Sequence, residues 1–86
     1  MKHGVSIAEV EHVLDNVETF IVPDAQNSEF EPRFVAIGRN PNGRYTFVVF
    51  TPRERDGETQ LRPISARYMH KKEIARYEKE VSDTQN

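Results

Sequence analysis

A chain of 86 residues with 36% hydrophobic side chains and a mean hydropathy of -0.74 has enough organised apolar runs for one small domain. It contains no cysteine, which excludes disulfides and thiolate chemistry and permits a reducing compartment, and it has no apolar run long enough for a membrane span or signal peptide. The formal net charge of -2 hides a segregation: residues 1–31 hold one basic residue (Lys2) against seven acidic ones, and residues 32–86 hold eleven against seven. Seven of those basic residues are arginines between Arg33 and Arg67, whose planar, five-donor side chains suit phosphate better than lysine does. The near-neutral bulk charge argues weakly against nucleic-acid binding, but the local field is what matters. An ordinary charged surface is the plain alternative for these arginines.

In chain order, Ser6 and Glu9 fit a capping box, and Ile7, Val10, Val13 and Leu14 give one apolar face to a short helix ending near Asp15 and Asn16. Residues 18–22 read as a short strand stopped by Pro23 and Asp24, and the polar residues 25–32 read as a loop. A strand follows over residues 33–38. The turn Asn40-Pro41-Asn42-Gly43 comes next, with Asn42 and Gly43 suited to positive φ.

Residues 44–67 form the centre of the chain. The run over residues 45–51 is almost entirely β-branched or aromatic and reads as a central strand covered on both faces. The Asp56-Gly57 pair predicts a hairpin whose tip of mixed charge spans residues 53–58. In the returning strand, residues 61–66, Pro63 predicts an edge position or a bulge. Ser65 and Arg67 share parity and point to one face, and Arg62 has the opposite parity unless a bulge resets it. A last helix over residues 71–81 presents Ile74, Tyr77 and Val81 at helical spacing, with fraying beyond Val81. The order predicts a single α+β domain over residues 1–86, with helices packed on a small antiparallel or mixed sheet.

The sequence offers little for metal or triad chemistry. His3, His12 and His70 are scattered without ligand spacing, and the four glycines sit singly rather than in a phosphate loop. No cofactor site is expected. The residues left over are Lys2, His3, Arg39, Arg53, Arg62, Arg67 and His70, with Tyr68 and Tyr77 nearby in sequence. Cleaving RNA without a metal requires deprotonation of the 2′-hydroxyl, neutralisation of the phosphorane and protonation of the 5′-oxygen. Arginines on a sheet suit the second task and a histidine suits either proton transfer, although each of these residues is individually commonplace.

Several blocks together carry a resemblance. They are Lys2-His3-Gly4-Val5-Ser6, Glu9, Arg33-Phe34-Val35-Ala36-Ile37-Gly38, Phe50-Thr51, Arg53, Ile64-Ser65-Ala66-Arg67, Glu73 and Tyr77. In this order and spacing the sequence resembles the BrnT family, small toxins of bacterial type II toxin–antitoxin modules. The opening Lys-His-Gly-Val block and the Ile-Ser-Ala-Arg block are the specific parts. The resemblance implies a RelE-like fold and a cytoplasmic, metal-independent ribonuclease that inhibits translation by cutting RNA. It also implies a ribbon-helix-helix antitoxin of the BrnA type, through which alone operator DNA is bound. The positions carried over are Lys2, His3, Arg33, Arg53, Ser65, Arg67, Glu73 and Tyr77. Of these, Arg67 and Arg53 are expected at the phosphate and transition state, His3 at proton transfer, and Glu73 as orienter of an arginine or cap of the last helix. Arg39, Arg62 and His70 are expected to support substrate binding.

The chain departs from the family pattern in two places. Family members usually carry a further strand and half a helix before the Lys-His-Gly-Val block, whereas here Met1 immediately precedes Lys2. A late start codon and a shortened homologue are the two explanations. The second would leave a sheet edge open to self-association. Met69 and His70 stand where the family usually has a small residue and a Ser or Thr cap, and histidine is a poorer cap. The alternative function is therefore an inactive or shortened homologue that acts as a protein-interaction module.

Overall fold

The computed structural model describes residues 4–85, with side chains through Asp83. Its elements are α1 (Ile7–Asp15), β1 (Phe20–Pro23), β2 (Phe34–Arg39), β3 (Tyr45–Arg55), β4 (Glu58–Tyr68) and α2 (Lys71–Gln85), with a short 3-10 turn at Ala25–Asn27. The strands pair in the order β1-β2-β3-β4, and every pairing is antiparallel. The fold is therefore α+β with a purely antiparallel sheet. β3 is central, as its composition requires, and β1 and β4 are the edges.

Helix α1 begins at the predicted capping box. The Ser6 hydroxyl accepts from the Glu9 amide at 3.2 Å, and Glu9 Oε1 accepts from the Ser6 amide at 3.3 Å. Val10 and Val13 then pack onto the even-numbered face of the sheet, against Ala36, Val48, Phe50 and Ala66, with Val5 closing the cluster. Phe34 and Phe50 stack with centroids 5.8 Å apart and extend this core along the sheet. Gly38 lies beneath α1 because a Cβ there would run into the Thr19 hydroxyl and a Val13 methyl.

The two hairpins differ in construction. At the β2–β3 turn only Gly43 takes positive φ (81°), while Asn42 keeps negative φ. The Asn40 side chain organises the turn by accepting from the amides of Asn42 (3.0 Å) and Arg44 (2.8 Å). At the β3–β4 turn both Asp56 (φ 53°) and Gly57 (φ 80°) are left-handed, the pattern of a two-residue turn whose twist matches the strands. The ladder therefore runs to Arg55 and resumes at Glu58, so the tip is shorter and both strands longer than the residue types suggested. Eleven-residue strands span about 37 Å, which accounts for a 39 Å long axis.

Between Val49 and Phe50 the β3–β4 register shifts by one. Val49 pairs with Ser65 and Phe50 with Pro63, which leaves Ile64 as the extra residue of a bulge. Pro63 thus occupies both an edge strand and a bulge. The shift restores a common face to Arg62 (opposite Thr51), Ser65 (opposite Val49) and Arg67 (opposite Phe47). The face opposite α1 carries α2. Its Tyr77 ring meets Phe20 and Tyr45 edge-on, at centroid distances of 6.2 and 5.7 Å. Coverage there is partial: Ile37, Phe47 and Val49 are only half-buried, so β3 is sealed on one face rather than both. Helix α2 runs to Gln85, four residues past the predicted helix end at Val81.

Candidate functional site

The C-terminal end of β4 presents two clasped carboxylates, one on each side of the sheet. On the α2 side, Arg67 forms a two-point ion pair with Glu73, Nη1 to Oε1 at 2.7 Å and Nη2 to Oε2 at 2.8 Å. The guanidinium also lies 4.5 Å from the centroid of the Phe47 ring. This pair holds the Glu73 carboxyl at a pKa of about 2, aided by the His70 amide, and raises the Arg67 pKa. Glu73 thereby acts in two ways: Oε1 also accepts from the His70 amide at 3.0 Å, which caps α2 from its third residue. The weak cap at His70 is thus supplemented by a carboxylate one turn on.

On the α1 side, Tyr68 donates its hydroxyl to Glu9 Oε2 at 2.5 Å, and Asn40 donates to the same oxygen at 3.0 Å. With Ser6 on the other oxygen, these bonds hold Glu9 at a pKa of about 2, the Tyr68 bond being the largest cause. Reciprocally, the Tyr68 phenol is pushed up and stays protonated. Its oxygen also lies 3.4 Å from the Gly4 carbonyl, which ties the start of the described chain to the end of β4. Arg44 lays its guanidinium over the Tyr68 ring, 3.8 Å from the centroid. Arg44, Arg67, Tyr68, Met69 and His70 line an open cavity of about 420 Å³ that wraps this corner of the sheet.

The other sequence-selected residues are spread along the same α2 face. Arg62 and Arg33 share Glu31, at 3.9 and 3.6 Å, and Ser65 stands exposed between Arg62 and Arg67. Arg53 is exposed near the hairpin tip. It is six residues along β3 from the residue opposite Arg67, a separation of about 20 Å. Arg39 donates to the Tyr45 hydroxyl at 3.0 Å, beside Tyr77, and stands apart from the cavity. Lys2 and His3 lie outside the described residues. Among the described residues, no group of three His, Asp or Glu side chains gathers in a way that could hold a metal ion. No helix there is long and apolar enough to cross a membrane.

A family model described as "Ribonuclease toxin, BrnT, of type II toxin-antitoxin system" matches residues 1–73. The chain belongs to the BrnT family. No curated protein and no solved structure matches it significantly. The match takes in Arg33, Arg53, Ser65, Arg67 and Glu73 and ends before Tyr77, whose ring meets Phe20 and Tyr45. At the family level the assignment gives a toxin of a toxin–antitoxin system, and the antiparallel sheet with its two helices is the RelE-like arrangement.

Arg44 and Asn40 are absent from the candidate site residues selected by sequence, where Tyr68 figures only as a neighbour of the arginines and Glu9 only as a helix cap and a block of the resemblance. Once the register Thr46↔Tyr68 is known, continuing it by two residues sets Arg44 opposite His70, but that register is not written in the sequence. The bond from the Met69 amide to the Tyr45 carbonyl (3.0 Å) shows that the ladder does extend that way.

Proposed function

We propose that this chain is a metal-independent endoribonuclease toxin that cuts RNA by in-line attack of the 2′-hydroxyl and is neutralised by a ribbon-helix-helix antitoxin. The observation that carries the reading is the common face given to Arg62, Ser65 and Arg67 by the bulge at Ile64, within the strand that the family model covers. A row of guanidiniums on a rigid strand is a preorganised positive surface, and such surfaces stabilise charge that develops on a phosphorane. Arg67, aimed by Glu73, takes the scissile phosphate in this reading. Arg53, about 20 Å away, takes a different phosphate of the same strand. Arg62 and Arg33, whose ion pairs to Glu31 are long and partly exposed, hold the intervening backbone at little cost in lost pairing. His3 is proposed for proton transfer and Lys2 for support. His3 is joined to Gly4, whose carbonyl meets the Tyr68 hydroxyl at the border of the cavity.

One observation favours the second reading, an interaction module without catalysis: Glu73 already occupies both terminal nitrogens of Arg67. RNA cleavage by the purified chain in EDTA, with Arg67→Ala beside it at matched helix content, separates the two. The ribonuclease reading expects cleavage that survives the chelator and falls at least about 100-fold in the variant, the loss typical of removing one transition-state donor. A folded parent chain that leaves RNA intact would remove the ribonuclease reading and leave the interaction module.

A further inference from the structure

We infer that the cavity at the end of β4 is a single-nucleotide site, in which a base stacks on the outer face of the Arg44 guanidinium while its phosphate meets Arg67 and His70. The inference rests on the ribonuclease reading and adds a base-binding element that no block of the family resemblance contains. Three observations support it.

The first is rigidity. The Tyr68 hydroxyl is held by Glu9 at 2.5 Å and the ring is half-buried against the α1 core, so the platform beneath Arg44 is tied at both its ring and its hydroxyl. The second is geometry. Arg44 lies 3.8 Å from the ring centroid while its residue remains exposed, so one face of a planar cation is committed to the phenol and the other looks outward. Unpaired RNA bases stack on arginine planes as readily as on aromatic rings. The third is charge placement. The cavity that wraps this corner is lined by Arg67 and the exposed His70 as well as by Arg44, and about 420 Å³ falls in the range of small-ligand sites. An arginine stacked on a ring held by a carboxylate suits a flat, electron-rich ligand, and the Arg67 guanidinium with an imidazole N–H of His70 suits the phosphate attached to it. Among the described residues that line the cavity, none besides Arg44 is placed to read a base edge, so the site reads the presence of a base rather than its identity.

The test is equilibrium binding of two probes to the full chain: a short single-stranded RNA blocked against cleavage by 2′-O-methyl groups, and linear polyphosphate. Arg44→Lys keeps the charge and loses the plane, and because Arg44 is exposed the variant folds. It is expected to weaken RNA binding about ten-fold, the size of one stacked base, and to leave polyphosphate binding within about two-fold. Arg67→Ala is expected to weaken both probes. Equal weakening of both probes in Arg44→Lys would overturn the stack and leave Arg44 as a point charge. Parental RNA binding by Arg44→Lys, with the loss confined to Arg67→Ala, would overturn the nucleotide site while leaving the ribonuclease reading standing. Parental RNA binding by both variants would remove both readings.

Discussion

On the α1 face of the sheet, Val13 and Val48 are fully buried and every neighbouring strand residue is apolar or small; on the α2 face, Ile37, Phe47 and Val49 remain half-buried, with Arg62, Ser65 and Arg67 beside them. The same strands build both faces, since alternate residues of one strand point to opposite sides. The difference shows how a domain this small carries a charged working surface. Sealing one face fixes strand register, because a one-residue slip would turn the whole apolar set outward. The other face is then free to hold arginines such as Arg62 that contribute little to folding, with Arg67 as the exception through its pair with Glu73.

The comparison makes graded predictions. Removing a large core side chain from the α1 face should have the greatest effect on stability: Phe50→Ala is expected to lower unfolding free energy by about 3–5 kcal/mol, read from urea denaturation. An effect below about 1 kcal/mol would mean that the core is not where the burial places it. Gly38→Ala, on the same face, forces a methyl against Thr19 and Val13 and should cost about 1–3 kcal/mol in the same assay.

The α2 face should respond to pH rather than to truncation. The Glu73 carboxyl sits at about 2 in the folded chain against an ordinary 4.5, so between these values the unfolded chain binds more protons. Stability should therefore be flat above pH 5 and fall as pH drops from about 4.5 towards 2. Glu9 contributes in the same window. Glu73→Gln should flatten the part of that fall due to the Arg67 pair, and an unchanged slope would show that Glu73 titrates alike in the folded and unfolded chains. Least affected should be Arg62→Ala, with a change within about 0.5 kcal/mol in denaturation. The same substitution is expected to weaken RNA binding, and a variant that loses stability but keeps affinity would reverse the assignment of the two faces.

Much of this division was legible in the residues. Ser6 and Glu9 announced the helix start, Asp56-Gly57 the hairpin, and Pro63 the irregularity in the last strand. All three are local signals, written within four residues. The parity of Arg62 was not legible, because it depends on the position of one extra residue, Ile64, in a cross-strand pairing. The length of α2 beyond Val81 was missed because its last turns carry no apolar periodicity. Arg44 was missed for a different reason. It reads as a turn residue beside Asn-Gly, and it gains a role only through Tyr68, 24 positions later, whose own hydroxyl is held by Glu9 at the other end of the chain. Side chains that work through a partner's partner leave no spacing in the sequence.

The Arg67–Glu73 ion pair has a consequence for energy transfer across the molecule. Helix α2 is fastened to the sheet at Tyr77 and at this ion pair, so one guanidinium serves both as an anchor for a helix and as the place where an anion would dock. Any anion that draws Arg67 away from Glu73 must loosen α2 by the same factor by which a firmly seated α2 weakens that anion's binding, because linkage between two equilibria is reciprocal. The mobility of residues 71–85 is therefore a gauge of what occupies Arg67.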